Sequence, residues 1–260
     1  MKAFFEKRKE KLYNLKDMDR DLLMYKVMPH FVLEIIRKYF RLEVEGIENV
    51  PHRGRGLIIP NHSGYSGFDA FMLGHEIFAK TKRIPRILAH HLWFITKATA
   101  IPLEKMGITE ATTANGLQLL KKNNLVILFP EGEYGNFKPI KKKYHLQEFK
   151  RGFIRMALLT NTPIIPTVII GAEETHITVK QLKFTKYLLG TVLPLPLNLI
   201  PLPAKWKIRF LPPVHLPNKP ELVMDNQFIH RTARDIKDLI QEAITEELDK
   251  REAVYFPKDR

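Results

Sequence analysis

The stretch Asn61-His62-Ser63-Gly64-Tyr65-Ser66-Gly67-Phe68-Asp69 brings an imidazole and a carboxylate into one short, glycine-rich segment. An imidazole with an ordinary pKa near ~6.5 can take a proton from a hydroxyl at neutral pH. A carboxylate on its other nitrogen fixes the tautomer and stabilises the imidazolium. Continuous helix from His62 to Asp69 would separate the two Cα atoms by roughly 10 Å, too far for that contact. Gly64, Ser66 and Gly67 must therefore form a turn that returns Asp69 to the ring. Taken alone, Asp69 also reads as the N-cap of a helix beginning at Ala70-Phe71-Met72-Leu73.

A second carboxylate lies farther along, in Phe129-Pro130-Glu131-Gly132, on a tight turn after an apolar strand. A base, its orienting acid and a second acid at a strand end suggest transfer of an acyl group to a hydroxyl. Other chemistries fit less well. Gly64-Tyr65-Ser66-Gly67-Phe68 lacks the last glycine of a serine-hydrolase elbow. His75-Glu76 has no second histidine at zincin spacing, and His90-His91 has no evident companion ligands. No P-loop or dinucleotide glycine fingerprint is present. Without cysteine there is no thiol nucleophile, thiolate metal site or disulfide.

Short apolar runs alternate with helical patterns from Gly46 onward. Strands are expected at Gly56–Pro60, Arg86–His90, Leu125–Phe129, Ile164–Gly171 and Lys205–Leu211. Helices are expected at Asp69–Lys80, Thr109–Lys122 and Glu148–Thr160. A last helix, about Asn226 to Lys250, lines up Phe228, Ile229, Ile236, Ile240, Ile244 and Leu248. The pattern predicts an α/β fold, a central mixed sheet covered by helices. His62 then follows a strand's C-terminal end, where such folds bind ligands. The expected organisation is an N-terminal helical, membrane-associating segment over 1–40 and a main domain over 41–260. Pro29 should kink or divide the more apolar part of the first segment.

The 260 residues carry a net charge of +14, which calls for an anionic partner: a membrane surface or nucleic acid. No zinc-finger or RNA-recognition signature accompanies the lysines, so a membrane is the expected partner and nucleic acid is not. Phe4, Phe5, Leu12, Tyr13 and Leu15 interleave with lysines. They form a helix packed on the domain, one lying in a membrane interface, or one doing both with different faces. No apolar stretch follows as a signal peptide requires. The longest apolar run, Tyr187 to Pro203, is broken by four prolines and should not span a bilayer. It reads better as an exposed apolar patch that leads lipid to the site than as a core loop. Lys138, Lys141, Lys142, Lys143, Lys150 and Arg151 form either a solvated basic loop or a phosphate or head-group site.

These segments together resemble the glycerolipid acyltransferase family, of the 1-acylglycerol-3-phosphate type. Asn61-His62 with Asp69 is similar to that family's first motif. Phe129-Pro130-Glu131-Gly132 matches its third, and Pro163-Ile164-Ile165-Pro166-Thr167-Val168 is similar to its fourth. The resemblance covers about residues 40–215. The interval from His62 to Asp69 is longer than usual, as in a bacterial subgroup that Phe149-Lys150-Arg151-Gly152-Phe153 and Gly171-Ala172-Glu173-Glu174 also resemble. The family's third motif usually continues to an arginine that can grip a phosphate. Here Glu133-Tyr134-Gly135 follows instead.

The resemblance implies a His62/Asp69 catalytic dyad and an acyl-CoA or acyl-carrier-protein donor, used as substrate with no cofactor or metal. It implies a lysophospholipid or related glycerolipid acceptor near Glu131 and Gly132; Lys138, from the basic segment that follows, is expected as a further acceptor-binding residue. The expected location is peripheral, on the cytoplasmic face of the cell membrane. A non-catalytic membrane-binding member of the same fold and a basic nucleic-acid-binding protein are the alternatives. Acceptor identity, acyl chain length, donor type and oligomeric state are not written in the sequence.

Overall fold

Apolar residues fill Gly56–Pro60 and, but for Thr167, Ile164–Ile170, and every residue of both segments is buried. Strands of that kind need cover on both faces. The computed structural model describes residues 28–63, 67–136, 138–182, 184, 185, 187 and 193–256. Its strands are β1 (Glu43–Glu45), β2 (Gly56–Pro60), β3 (Arg86–Ala89), β4 (Ile108–Glu110), β5 (Leu125–Ile127), β6 (Ile164–Ile170), β7 (Thr178–Leu182), β8 (Leu193–Pro196) and β9 (Lys207–Phe210). Seven of these form one sheet in the order β1-β9-β6-β2-β5-β3-β4, and β7 pairs antiparallel with β8 apart from it. Only the β6–β9 pairing in the large sheet is antiparallel, which makes it mixed.

The helices are α1 (Met28–Tyr39), α2 (Phe68–Thr81), α3 (Lys97–Lys105), α4 (Thr113–Lys121), α5 (Glu133–Asn136), α6 (Gly152–Thr160), α7 (Ala172–Thr175) and α8 (Asn226–Asp249). Alternate strand residues divide between two cores, as the two-residue period of a strand requires. Leu57, Ile59, Val126, Ile164 and Val168 pack with Leu120 of α4, Phe153 of α6 and Ile236, Ile240 and Ile244 of α8. Ile58, Ile127, Ile165 and Ile169 pack with Met72, Leu73 and Ile77 of α2 and with Phe40, Trp206 and Phe210. Phe40 and Trp206 stack at 4.5 Å and join the end of α1 to this second core.

Parallel pairing sets up the site. Ile58 of β2 lies opposite Ile127 of β5 and Ile165 of β6, so all three strands end at the same edge. The loops carrying His62, Glu131 and Glu173 therefore emerge side by side.

Several expected boundaries shift. The helix expected from Thr109 starts at Thr113, because Thr112 Oγ1 accepts the Asn115 N–H and caps it. Thr109 and Glu110 belong instead to β4, paired with β3. The helix expected from Glu148 starts at Gly152, which leaves the residues before it as an extended approach to the site. The final helix agrees to within a residue, with Asp225 accepting the Phe228 N–H at 2.9 Å. β1, α3 and the β7–β8 pair were not expected. The amphipathic stretch before Met28, including any kink at Pro29 relative to it, lies outside the described residues, as does 188–192 of the proline-broken run. The described part of that run is exposed at Tyr187, Leu197, Leu199 and Ile200. Among the described residues no helix is long and apolar enough to cross a membrane.

Candidate active site

Asn61 ends β2 by imitating a backbone. Its side-chain amide donates to Ile169 O at 3.0 Å and its Oδ1 accepts from Ile169 N at 2.7 Å, so the residue before His62 stays locked to β6. From that anchor the His62 ring packs on Phe129, with centroids 4.2 Å apart. The chain returns through Gly67, which adopts a φ of 69°, a region that favours glycine. Gly64 and Ser66, also expected in this turn, lie outside the described residues.

Asp69 sits in the first turn of α2, not at its cap, since Gly67 occupies that place. Its carboxylate points back toward the loop. Oδ2 receives His62 Nδ1 at 2.6 Å and Ser63 N at 2.9 Å, and Oδ1 receives Ala70 N at 2.8 Å. The turn therefore closes the long sequence interval, and the two side chains meet. With Asp69 accepting from Nδ1, the imidazole carries its proton there and leaves Nε2 as the base. A helix N-terminus also favours the negative charge of Asp69.

Glu131 is fully buried and holds backbone, not solvent. Oε1 accepts the His62 N–H at 2.9 Å, and Oε2 accepts the Gln147 N–H at 2.7 Å. Gly135 makes room for it: a Cβ there would come within 2.4 Å of Glu131 Cβ. Lys138 is buried between two acids, 3.3 Å from Glu131 Oε2 and 2.9 Å from Glu173 Oε1. Behind it, Glu174 accepts from the Tyr144 hydroxyl, Lys143 and Arg251. Burial, and then the Glu174 charge, push the Tyr144 phenol well above its ordinary range, so it stays a hydrogen-bond donor.

A cavity of about 700 Å³ opens beside this constellation. Its wall includes His62, Gly132 and Lys150, and it is otherwise mainly apolar, with Phe71, Leu88, Leu92, Trp93, Phe129 and Met156 among the lining. His90 also lines it, held as a cap that accepts the Leu92 N–H, with its pKa lowered by burial and then by neighbouring His91. Both effects favour the neutral ring.

The structure thus brings His62 and Asp69 into contact and puts Gly132 on the cavity wall. Glu131 and Lys138 line no part of it. Each of these two is enclosed by protein partners. Asn61, Gln147 and Gly135 were not singled out as site residues. The second glycine of Glu131-Gly132-Glu133-Tyr134-Gly135 was the one available signal. Among the described residues no group of three or more His, Asp or Glu side chains is placed to hold a metal ion.

Comparison with known proteins agrees with this arrangement. The Acyltransferase family model matches residues 41–170. An uncharacterized protein of Mycobacterium tuberculosis is 32% identical over 249 residues, covering 88% of this chain and 70% of that one. A 1-acyl-sn-glycerol-3-phosphate acyltransferase of Limnanthes alba is 27% identical over 187 residues, covering 67% of this chain and 54% of that one. Among solved structures, the 1-acyl-sn-glycerophosphate (LPA) acyltransferase PlsC of Thermotoga maritima superposes with a TM-score of 0.57 at 17% identity, covering 93% of this chain and 88% of that one, a likeness of fold. With the motif positions, the sheet and the family match in accord, the chain belongs to the Acyltransferase family and is an enzyme of the glycerolipid acyltransferase kind.

Proposed function

We propose that this acyltransferase moves a fatty acyl group from acyl-CoA or acyl-carrier protein to a hydroxyl of a lysophospholipid or related glycerolipid. The observation that carries the reading is the His62 imidazole, held through Nδ1 by Asp69 at 2.6 Å, on the wall of a largely apolar cavity. The acceptor oxygen attacks the thioester carbonyl as its proton passes to His62 Nε2. The tetrahedral intermediate then expels the thiolate, which takes that proton from the imidazolium. The acyl oxygen ester forms, the thioester breaks, and no acyl-enzyme is needed. Gly132 borders the acceptor, and Glu131 acts by holding the His62 backbone.

The test is thiol release from acyl-CoA in the presence of lysophosphatidate, other lysophospholipids and monoacylglycerol. Release that depends on one of these acceptors, with the acylated lipid as product, is the expected result. Thioester hydrolysis indifferent to every acceptor would remove the reading.

The acyl chain belongs in the apolar cavity, and Gly116 of α4 limits its depth. A Cβ on Gly116 would meet Met156 Sδ at 2.2 Å, and Met156 lines the cavity. Gly116→Ala should push that flexible side chain inward. With each buried methylene worth about 0.8 kcal/mol, kcat/KM for long acyl donors is expected to fall about tenfold while short donors change by less than about threefold. An unchanged chain-length profile would count against this placement of the acyl chain.

Peripheral attachment to an anionic membrane, on the cytoplasmic side, completes the reading. Its support is an outward apolar face on α1, where Phe31, Val32, Ile35 and Tyr39 are exposed. The Tyr39 hydroxyl donates to Pro201 O, joining this face to exposed Leu199 and Ile200. Phe31→Glu with Ile35→Glu should weaken co-sedimentation with phosphatidylglycerol vesicles by about tenfold or more. Unaltered vesicle binding would place the contact elsewhere.

A further inference from the structure

Lys138 is only 8% exposed and sits where three segments of the site meet. Its ammonium lies 3.3 Å from Glu131 Oε2 and 2.9 Å from Glu173 Oε1. The remaining contacts of those carboxylates are backbone N–H groups: His62 and Gln147 on Glu131, and Tyr144 on Glu173. Lys138 therefore ties the His62 loop, the 144–147 stretch and the start of α7 to one charge.

The chemistry of Glu131 makes that charge matter. A carboxylate removed from water without a counter-charge favours its protonated form. A protonated Glu131 would present a hydroxyl donor where the His62 and Gln147 N–H groups both need acceptors, and it would lose charge-assisted bonds. Burial pulls Lys138 toward losing its proton, but the charges of Glu173 and Glu131 beside it outweigh that, so the ammonium persists. No other lysine or arginine is ion-paired with Glu131 among the described residues.

We propose that Lys138 is a positioning residue for acyl transfer: it keeps the Glu131 carboxylate an acceptor for the His62 N–H and so fixes His62 at the cavity wall. This rests on the acyl-transfer reading above and replaces direct acceptor contact as the role of Lys138. The lysine touches no substrate. Its effect passes through Glu131.

Lys138→Met, Lys138→Arg and Glu131→Gln are compared by thiol-release kinetics and by NMR of the 15N-histidine-labelled protein. With misplacement near the reacting atoms as the cause, Lys138→Met should lower kcat about hundredfold at neutral pH while donor KM changes less than about threefold. Lys138→Arg, which keeps the charge, should retain most of the activity. In the wild type the His62 amide should resonate downfield, as donors to carboxylates do, and Lys138→Met should move it in the direction that Glu131→Gln does.

An unmoved His62 amide in Lys138→Met overturns the proposal. So does a loss of rate that tracks the folded fraction in thermal melts. If the methionine variant fails to fold, Lys138→Gln, uncharged but able to hydrogen-bond, is read by the same two criteria. A wild type inert toward every thioester would sink the acyl-transfer reading, and the amide shifts would still decide whether Lys138 acts on His62 through Glu131.

Discussion

His62→Ala is expected to lower thiol release by about 10³-fold, within the range that a positioned general base contributes. The reason is local. His62 offers the only imidazole whose orientation is fixed by a buried carboxylate at the cavity wall, among the described residues. The apolar lining stays in place, so KM for the donor should hardly move. Vesicle binding should also persist, because no residue of α1 lines the cavity that holds His62. Alanine leaves a ring-sized gap between Phe129 and Asp69, the two groups that hold the imidazole. Added imidazole should therefore restore part of the rate in this variant and none in the wild type. Turnover within tenfold of wild type would mean that the base is elsewhere, and His90, on the same cavity wall, would be the next residue to change.

The parts of this site that were legible in the sequence are those encoded locally. A glycine turn between His62 and Asp69 had to bring the acid back if the two were to meet, and Gly67 at positive φ is part of that return. The strand cores were legible because β2 and β5 are continuous apolar runs and β6 is broken only by Thr167. The approach of Glu131 to His62 was not, since it depends on β2 pairing with β5 and on a side chain meeting a backbone N–H far away in sequence. Lys138 read as one member of a basic loop because the acids that enclose it, Glu131 and Glu173, come from different strand ends. β1 was hidden for a similar reason: Glu43 and Glu45 resemble loop until Lys205 and Lys207 pair with them. α3 contains Pro102, which argues against a helix interior when only the local sequence is considered. Local signals thus marked His62 and Asp69, and long-range pairings determine what holds them.

Asp69→Asn separates the two roles that a carboxylate in this position can have. Asp69 is 1% exposed, and its oxygens take three donors: His62 Nδ1, Ser63 N and Ala70 N. An asparagine has one acceptor oxygen and one amide donor. If its oxygen faces His62 and Ser63, the NH2 opposes the Ala70 N–H. If it faces Ala70, the NH2 opposes Ser63 N–H and drives the imidazole to the Nε2–H tautomer, which cannot accept the acceptor's proton. Either orientation leaves a buried donor unmatched at a cost of about 1–3 kcal/mol, so the melting temperature should drop. By analogy with other His–Asp pairs, kcat should fall about 10²–10⁴-fold, with donor KM nearly constant because Asp69 does not line the cavity. The imidazole 15N shifts should report the change of tautomer directly. A melting temperature that falls while kcat per folded molecule stays within about threefold of wild type would leave Asp69 as a turn-holding residue and remove it from the proton-transfer step.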